Sequence, residues 1–431
     1  MGILIRGGEI IDPGSGTVVE ADLLVDEGVV AAIAPRVDGR GHQVVDATGL
    51  LVAPGLVDMH VHLRDPGQTH KEDLRSGTMA AVRGGVTTIA CMPNTAPPID
   101  HPTVVEYIRS RAQAVGVCRV YAIGAITQGL AGQALAPIGS LATSGVVGLS
   151  DDGAAVANAR LLQQAMRYAR EADLPIIEHC EDRQLTDGGV MHEGLWSTTL
   201  GLRGIPSAAE EVIVARDLLL AEATGARLHI AHVSTAGSVR MIREAKARGM
   251  RVTAEVTPHH LVLTDEAVQG YDGNSKMNPP LRSADDIVAL RAGLVDGTID
   301  VIATDHAPHA VEEKLVEFDQ APFGVIGLET ALGVVLTALV GEGVLPLARA
   351  LQAMSTTPAA ILGVRGGRLA VGAPADIVLI DLRRQWTVDV QTFASKSRNT
   401  PFEGWSLRGK AVLTLVGGQI KFSELPVEAL S

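Results

Sequence analysis

Through most of the chain, short apolar runs of strand length alternate with longer stretches whose apolar residues have helical spacing. The stretch ARLLQQAMRYAREA at 159–172 is one example of the helical pattern. Eight apolar runs follow this rhythm: LVDMHVHL at 56–63, TTIACMP at 87–93, CRVYAIGAI at 118–126, VVGLSDDG at 146–153, PIIEHCED at 175–182, RLHIAHVS at 227–234, RVTAEVTPHH at 251–260 and DVIATDHAPH at 300–309. Eight strand and helix pairs over about 250 residues or more are typical of an α/β fold, the (β/α)₈ TIM barrel.

The two ends of the chain show another pattern, in which short β-rich runs are separated by Gly, Pro and Asp. The first fifty residues contain ILIRGGEII, ADLLVDEG and VVAAIAP, and the same style returns in GGRLAVGAPADIVLIDL and KAVLTLVGGQIKF. Because chain termini often lie close together, the two ends are predicted to pair into one small β-sandwich domain. The expected domains are residues 1–53 with 368–431 for the sandwich, and residues 54–367 for the barrel.

Charge and composition exclude several kinds of partner. The chain has 36 Lys and Arg against 49 Asp and Glu, and a net charge of −13 repels a nucleic-acid backbone or an anionic membrane surface. Residues 120–150 carry no charged side chain, but glycines and Pro137 interrupt them, which favours buried strands over a membrane span. The chain has three cysteines, Cys91, Cys118 and Cys180, which are too few for a disulfide framework. A cytoplasmic protein is therefore expected.

Residues able to bind a metal ion end five of the predicted strands, the position where barrel enzymes carry their chemistry. They are His60 and His62 on the first strand, Asp151 and Asp152 on the fourth, Glu178 and His179 on the fifth, His232 on the sixth, and Asp305, His306 and His309 on the eighth. A buried imidazole or carboxylate without a partner costs several kcal/mol. Their recurrence on separate strands therefore favours a metal site over packing.

The donor types indicate which ions are expected. Histidine and aspartate without sulfur suit Zn²⁺, with Mn²⁺ or Co²⁺ as alternatives, and the donors are too many for one tetrahedral ion. We therefore expect two divalent ions. His60 and His62 are one residue apart, so both side chains point to the same face of the strand.

The same alternation separates neighbours on a strand. Cys180 is expected to pack on the face opposite His179, while Glu178 and His306 are expected to face outward or to support the site. For His259 and His260 a role near a substrate and a purely structural role stay open. Four other histidines have no such position and are expected to be structural or at the surface: His70, His101, His192 and His229.

Longer blocks resemble the amidohydrolase superfamily and, within it, the dihydroorotase family of the long-chain bacterial type. They are DMHVHLRDP at 58–66, GGVTTIACMPNT at 84–95, EVTPHHL at 255–261, KMNPPLR at 276–282 and ATDHAPHAVEEK at 303–314. PADIVLID at 374–381 is similar to the strand segment that follows the barrel in the superfamily. The resemblance implies a metal-dependent cyclic amidohydrolase of pyrimidine biosynthesis, which interconverts dihydroorotate and N-carbamoyl-L-aspartate.

The resemblance also implies roles for single residues. His60, His62 and Asp305 would hold one metal ion, His179 and His232 the other, and Asp152 would bridge them. Residues implied in substrate binding are His62, Leu63, Arg64, Asn94, Asn278, His309, Phe323 and Gly324. Asp305 would act as general base and then acid for a hydroxide shared by the two ions. The guanidinium of Arg64 would pair with a substrate carboxylate.

The bridge between the ions differs from that of many relatives, such as hydantoinases and allantoinases, which use a carboxylated lysine. No lysine occurs here between Lys71 and Lys246. Asp151 or Asp152 is then the only anionic bridge on the fourth predicted strand, and the position in the motif favours Asp152.

Two other functions are considered. One is a related cyclic amidohydrolase such as a hydantoinase, against which Arg64 and the missing lysine argue. The other is a non-catalytic structural partner of aspartate transcarbamoylase, against which the retention of every expected ligand argues. A small-molecule substrate is expected whether the protein is a dihydroorotase or a related cyclic amidohydrolase. A homodimer and a complex with aspartate transcarbamoylase both stay open.

Overall fold

The computed structural model describes residues 2–426. Its strands are β1 (Ile3–Asp12), β2 (Thr17–Asp26), β3 (Val29–Ala34), β4 (Gln43–Asp46), β5 (Leu51–Pro54), β6 (Leu56–Val61), β7 (Val86–Cys91), β8 (Arg119–Ala122), β9 (Gly124–Ala125), β10 (Leu149–Ser150), β11 (Ile176–Glu178), β12 (Met191–His192), β13 (Gly204–Ile205), β14 (Leu228–Ile230), β15 (Val252–Val256), β16 (Val301–Ile302), β17 (Ile377–Thr387), β18 (Ser406–Val416) and β19 (Gln419–Ser423).

The α-helices are α1 (Leu74–Arg83), α2 (Pro102–Val115), α3 (Ile138–Thr143), α4 (Ala159–Glu171), α5 (Arg183–Thr186), α6 (Leu195–Leu200), α7 (Ala208–Thr224), α8 (Ala236–Ala247), α9 (Pro258–Val262), α10 (Ala284–Asp296), α11 (Val311–Lys314), α12 (Ala331–Val335), α13 (Leu347–Ala353) and α14 (Thr356–Leu362). A π-helical turn, Leu336–Val340, continues α12. Across residues 2–426, no helix combines the length with the apolar character that spanning a bilayer needs.

Strands from both ends of the chain form one sheet, as the sequence predicts. Its order is β19-β18-β17-β5-β1-β2-β3, and β4 also pairs with β1. β17 runs antiparallel to β5, with Ile377 opposite Pro54, so the strand that follows the helices returns to the N-terminal segment. One face of the sheet is buried around Leu23, Leu379 and Leu413. The apolar runs at the two ends thus share a single core.

A bend in β1 lets this strand pair with two different strands along the same edge. Gly7 has a φ of +69°, a backbone conformation that glycine adopts at little cost. Before the bend β1 pairs in parallel with β4, and beyond it β1 pairs with β5. The bend therefore directs β5 toward β6 and the parallel strands.

The strands in the middle of the chain are parallel and mostly short. One group has the order β16-β15-β14-β11-β10-β9, and another has the order β6-β7-β8. Each of the eight predicted strand segments contains one of these strands, and the third is divided at Ile123 into β8 and β9. The Val147 N–H, just before β10, donates to Ala122 O of β8 at 3.0 Å, and the His62 N–H donates to His306 O at 2.8 Å. Each group therefore contacts the other at both edges.

Helices cover the outer side of these strands. In α4, for example, Leu162, Ala165, Met166 and Ala169 are buried, which is one face of a helix. The helix begins at Asn158, whose side chain accepts hydrogen bonds from the N–H groups of the first turn. α4 packs on α7, α7 on α8 and α8 on α10. The helical layer fixes the direction of the strands and so the place where they end.

Residues 393–402, between β17 and β18, leave the terminal sheet and pack on the end of the parallel strands. Phe393 and Phe402 are buried there together with Ile326 and Val334. Although residues 393–402 lie in the sequence range predicted for the small domain, they contact the segment that follows β16. This contact becomes important at the site.

Candidate active site

Six side chains meet beyond the carboxyl ends of the parallel strands. His60 lies on β6 and His62 directly after it, Asp152 follows β10, His179 follows β11, His232 follows β14 and Asp305 follows β16. His232 has a φ of +30° and Asp305 a φ of +47°, so the chain turns sharply as it leaves each strand. Such strained backbone is concentrated at functional sites because surrounding structure is needed to hold it.

The donor atoms surround Asp152. Its Oδ1 lies 3.3 Å from His60 Nε2 and 3.9 Å from both His179 Nδ1 and His232 Nε2. Its Oδ2 lies 3.5 Å from His62 Nε2. Asp152 is therefore the residue shared by two overlapping groups of donors, one with His60 and His62 and one with His179 and His232.

Asp305 joins the first of these groups. Its Oδ1 lies 2.9 Å from His62 Nε2 and 3.4 Å from His60 Nε2. In the second group, His179 Nδ1 lies 2.9 Å from His232 Nε2. Two imidazole nitrogens that face each other so closely need either a shared proton or a cation between them.

The arrangement fits divalent cations. Within residues 2–426, the buried atoms His60 Nε2 and Asp152 Oδ1 have no hydrogen-bond partner. Buried polar atoms are nearly always paired, so donor atoms without a hydrogen-bond partner that converge on one point are suited to binding a cation. Nitrogen and oxygen donors without sulfur are a set that Zn²⁺ accepts.

The charges at the site are unbalanced toward negative. Burial opposes a charge on His60, but the carboxylates of Glu255, Asp305 and Asp152 outweigh it and raise the pKa of His60 well above its usual value. Burial likewise opposes ionisation of Asp305, yet His60 and His62 lower its pKa to about 2. The excess of carboxylate charge is what a bound cation would neutralise.

His232 shows the opposite shift. Burial, followed by the nearby His179 and His60, lowers the pKa of His232 to about 3. A neutral imidazole with a free lone pair is the form that binds a metal ion.

Glu255 on β15 orients the ring of His60 and holds the backbone of His232 from below. Its Oε1 accepts from His60 Nδ1 at 2.5 Å and from the His232 N–H at 3.3 Å. Its Oε2 lies 3.1 Å from His229 Nε2, and His229 Nδ1 lies 2.8 Å from Thr253 Oγ1. With Nδ1 of His60 donating to Glu255, the lone pair of Nε2 faces the centre of the site.

Glu181 and Asn94 hold two further histidines in the same way. Glu181 Oε2 lies 3.1 Å from His179 Nε2 and also accepts from Asn278 Nδ2 at 3.1 Å. Asn94 Oδ1 lies 2.8 Å from His62 Nδ1, and its Nδ2 donates to Asp152 Oδ2 at 3.2 Å. Each ring therefore has one nitrogen engaged and the other directed at the shared centre.

A cavity of about 240 Å³ opens above these residues. It is lined by His62, Arg64, Asn94, Asp152, Gly153, His179, His232, Asn278, Asp305, Ala307, His309, Phe323 and Gly324. The lining includes all the residues expected to bind substrate except Leu63. The Leu63 side chain is buried in the apolar core, so a contact with substrate would fall to its main chain.

Arg64 and His309 form the polar wall of the cavity opposite the histidines. Arg64 Nε donates to Pro308 O at 3.1 Å, and among residues 2–426 its guanidinium makes no ion pair. Burial, together with Arg64, lowers the pKa of His309 to about 3. The neutral His309 ring donates from Nε2 to Phe323 O at 2.8 Å. An unpaired guanidinium beside a neutral imidazole is suited to an anionic ligand.

The neighbours of the site residues have separate roles. Asp151 turns away from the histidines, and its Oδ1 accepts from the N–H groups of Ile126 and Thr127 at 2.8 and 2.9 Å. Cys180 is buried in the apolar core, as expected. His306 Nδ1 accepts from the Gly327 N–H at 3.2 Å, so His306 supports the segment behind the cavity.

Several of the remaining histidines have a structural role, because they form hydrogen bonds with neighbouring residues or are buried among them. His260 lies 2.8 Å from Thr257 Oγ1 and 2.9 Å from Pro279 O, while His259 is buried beside it. His101 begins α2 and accepts from the Thr103 N–H. His229 is completely buried beside Glu255. Sequence reasoning did not identify Glu255 or Glu181, although Glu255 opens the block EVTPHHL.

Comparisons with known proteins identify the family of the chain. The model of the family described as dihydro-orotase-like matches residues 49–238, and that of the amidohydrolase family matches residues 222–422. A protein named dihydroorotase from Pelotomaculum thermopropionicum is 56% identical over 97% of this chain and 98% of its own length. Another dihydroorotase, from Pelobacter propionicus, is 52% identical over 98% of this chain and 100% of its own length.

Two solved structures have a similar fold. An L-hydantoinase from Arthrobacter aurescens has a TM-score of 0.87 and 28% identity, covering 99% of this chain and 97% of its own. A dihydropyrimidinase from Brevibacillus agri has a TM-score of 0.87 and 25% identity, covering 99% and 96%. The sequence identity to the two dihydroorotases, 56% and 52%, is about twice the 28% to the hydantoinase. The chain therefore belongs to the dihydroorotase family of the amidohydrolases.

Proposed function

We propose that the protein is a dihydroorotase, which hydrolyses dihydroorotate to N-carbamoyl-L-aspartate and closes the ring in the reverse direction. The observation that carries the proposal is the guanidinium of Arg64, which makes no ion pair within residues 2–426 and faces the same cavity as the convergent donors around Asp152. Both compounds of the reaction are anionic, and a guanidinium binds a carboxylate through two parallel hydrogen bonds. Relatives named dihydroorotase support the same activity.

We also infer that the parallel strands close into an eight-stranded barrel. The hydrogen bonds from Val147 to Ala122 and from His62 to His306 support closure because they join the two groups of strands at both edges. On this interpretation residues 54–367 form the catalytic barrel, and residues 1–53 with 368–431 form the β-sandwich domain. Met1 and residues 427–431 of these ranges lie outside the described residues.

The site is proposed to hold two divalent metal ions, most simply Zn²⁺. His60, His62 and Asp305 would bind one ion, His179 and His232 the other, and Asp152 both. When bound, such ions lower the pKa of water and polarise a carbonyl oxygen. The unpaired donor atoms and the excess of negative charge at the centre support this assignment.

The chain's own residues supply binding and proton transfer. The fork of Arg64 binds the ring carboxylate, with Asn278 and the main chain of Phe323 and Gly324 at the ring amide. Asp305 is ionised near neutral pH because its pKa is about 2. It takes a proton from the attacking water and returns it to the ring nitrogen as the amide C–N bond breaks. Ring closure uses the same groups in the reverse order.

The activity is tested with purified protein that has never been exposed to a chelator. We expect hydrolysis of dihydroorotate, slower or absent hydrolysis of hydantoin and dihydrouracil, and close to two equivalents of metal per chain. Preferential hydrolysis of hydantoin would favour the related cyclic amidohydrolase. A fully active protein with a single bound ion would contradict the bridging role of Asp152.

The assembly and location of the protein are part of the proposal. Light scattering on the same sample distinguishes a monomer from a homodimer, and added aspartate transcarbamoylase tests a complex between the two enzymes. Cys91, Cys118 and Cys180 are free and buried rather than paired in disulfides. A cytoplasmic location is proposed for this reason.

Glu255→Gln is expected to weaken metal binding by about 10- to 100-fold, the usual effect of removing a partner behind a metal ligand. A glutamine is neutral, and its amide nitrogen cannot accept a hydrogen bond from His60 or His229. Competition with a chelator of known affinity measures the change without relying on turnover. The control is Asp217→Asn, a buried carboxylate that pairs with Arg216 and makes no hydrogen bond to a donor atom of the site. Equal metal affinity in the Glu255 variant and the wild type would show that Glu255 does not orient His60.

A further inference from the structure

Asn399 lies outside the parallel strands but contacts one wall of the cavity. Its Oδ1 accepts from the His309 N–H at 3.2 Å. Its Nδ2 donates to Ala307 O and to Gly324 O, each at 3.0 Å. The side chain thus uses its acceptor and both of its donor hydrogens, and the residue is only 3% exposed. One amide therefore connects the segment that carries His309 with the segment that carries Gly324.

The position of this amide is set by the backbone around it. His306 and Val325 form a parallel bridge, and the Ala307 N–H donates to Val325 O at 2.8 Å. Past this bond the two segments share no further backbone–backbone hydrogen bond, and the carbonyl groups of Ala307 and Gly324 need donors. The NH₂ group of Asn399 supplies both hydrogens and so continues the contact between the chains.

The segments around Ala307 and Gly324 approach each other so closely that glycine is required at position 324. Gly324 has a φ of +126°, and a Cβ added there would lie 2.8 Å from the Ala307 side chain. The main chain of Asn399 also holds this segment, because its carbonyl accepts from the Ile326 N–H at 2.9 Å. The geometry of the wall therefore depends on residue 399 as well as on the two segments themselves.

We propose that Asn399 is a positioning residue for substrate binding. It fixes the distance between His309 and the main chain of Phe323 and Gly324, the groups that face the substrate ring. The proposal rests on the proposed dihydroorotase function, since it concerns the same cavity. Asn399 is absent from the cavity lining, so it acts through these residues and does not contact the substrate.

No other side chain of similar size provides the same set of bonds. Aspartate would place an oxygen opposite the carbonyls of Ala307 and Gly324, and leucine has neither donor nor acceptor. Both changes leave buried carbonyl groups without a donor, which disfavours the native spacing of the wall. Serine leaves room for a water molecule and is the mildest of the three changes.

The test compares steady-state kinetics of dihydroorotate hydrolysis in Asn399→Leu, Asn399→Asp and Asn399→Ser. The KM for dihydroorotate is expected to rise about tenfold or more in the first two variants and less in the third. We expect kcat to change by less than about threefold and metal content to stay at the wild-type level, because no donor atom of the metal site contacts Asn399.

The matched control is Ser397→Ala. Ser397 lies two residues away in the same buried segment, but its hydroxyl donates to Lys71 O at 2.8 Å and not to the cavity wall. This variant is expected to lower Tm while leaving KM unchanged. An equal rise of KM in the control, or lower Tm with wild-type KM in the Asn399 variants, would overturn the proposal.

Two further outcomes are distinguishable. If Asn399→Leu and Asn399→Asp do not fold, Asn399→Ser decides: a raised KM supports the positioning role, and a wild-type KM overturns it. If the wild-type protein does not hydrolyse dihydroorotate, the proposed function itself fails. In that case the missing activity is seen in the wild-type protein, before any variant is measured.

Discussion

Asp305→Asn is expected to lower the turnover of dihydroorotate by about 10²-fold or more, while the fold and most of the metal binding are kept. The amide has nearly the same shape as the carboxylate and keeps one oxygen toward His60 and His62. It cannot, however, take a proton from the attacking water, because a carboxamide is not basic near neutral pH. The measurement is kcat for hydrolysis, with metal content determined on the same preparation.

The matched control for this change is Asp151→Asn. Asp151 is also a buried aspartate beyond a strand end, but its Oδ1 accepts from the backbone N–H groups of Ile126 and Thr127, and its Oδ2 accepts from the Thr127 hydroxyl. We expect this variant to lose stability and to keep most of its turnover. A metal-replete Asp305→Asn enzyme with a rate near that of the wild type would remove Asp305 from proton transfer.

Arg64→Met is expected to reduce kcat/KM for dihydroorotate by about 10²- to 10³-fold, because the buried carboxylate of the substrate would lose its charged partner. Methionine fills a similar volume without a charge. Dihydrouracil has the same ring without the carboxylate, so its kcat/KM should fall much less. The ratio of the two kcat/KM values measures the contribution of Arg64 to selectivity.

Arg64→Lys separates charge from geometry. A lysine keeps the positive charge but cannot form the two parallel bonds of a guanidinium, so an intermediate loss is expected. If both rings lost the same factor in Arg64→Met, the main role of Arg64 would be to hold the loop through Pro308 O. The protein would then be described only as a cyclic amidase.

The sequence predicts the strands and the residues that end them, because both follow local patterns. Each predicted strand segment contains a parallel strand, and the residues expected to bind metal lie together beyond the strand ends. The regular strands are shorter than the apolar runs, since β10 and β16 have two residues each. Beyond them the chain bends into the site, and an apolar pattern does not contain that information.

His229 and His232 show where alternation along a strand stops being a guide. Leu228 and Ile230 of β14 are buried in the core cluster under the helices, so His229 points inward, to Glu255. Three residues later, simple alternation would direct His232 to the opposite side. The φ of +30° at His232 rotates the chain and returns its ring to the centre. A turn of this kind is visible only in the structure.

Residues that support the site were missed because their partners are distant in sequence. His60 and Glu255 are 195 residues apart, and their contact has no local pattern. Asn399 is 90 residues from His309 and lies within the range predicted for another domain. A histidine that binds metal can be recognised by its neighbours on the strand. The carboxylate or amide that orients it can be recognised only when the strands are assembled.

The position of residues 393–402 has a consequence for synthesis of the protein on the ribosome. All six residues proposed to bind metal have been made once Asp305 is added, whereas Asn399 and the strands β17 and β18 follow much later. β5 must also wait for β17, its partner from the far end of the chain. A nascent chain can therefore gather its metal donors before it can complete the wall that recognises the substrate.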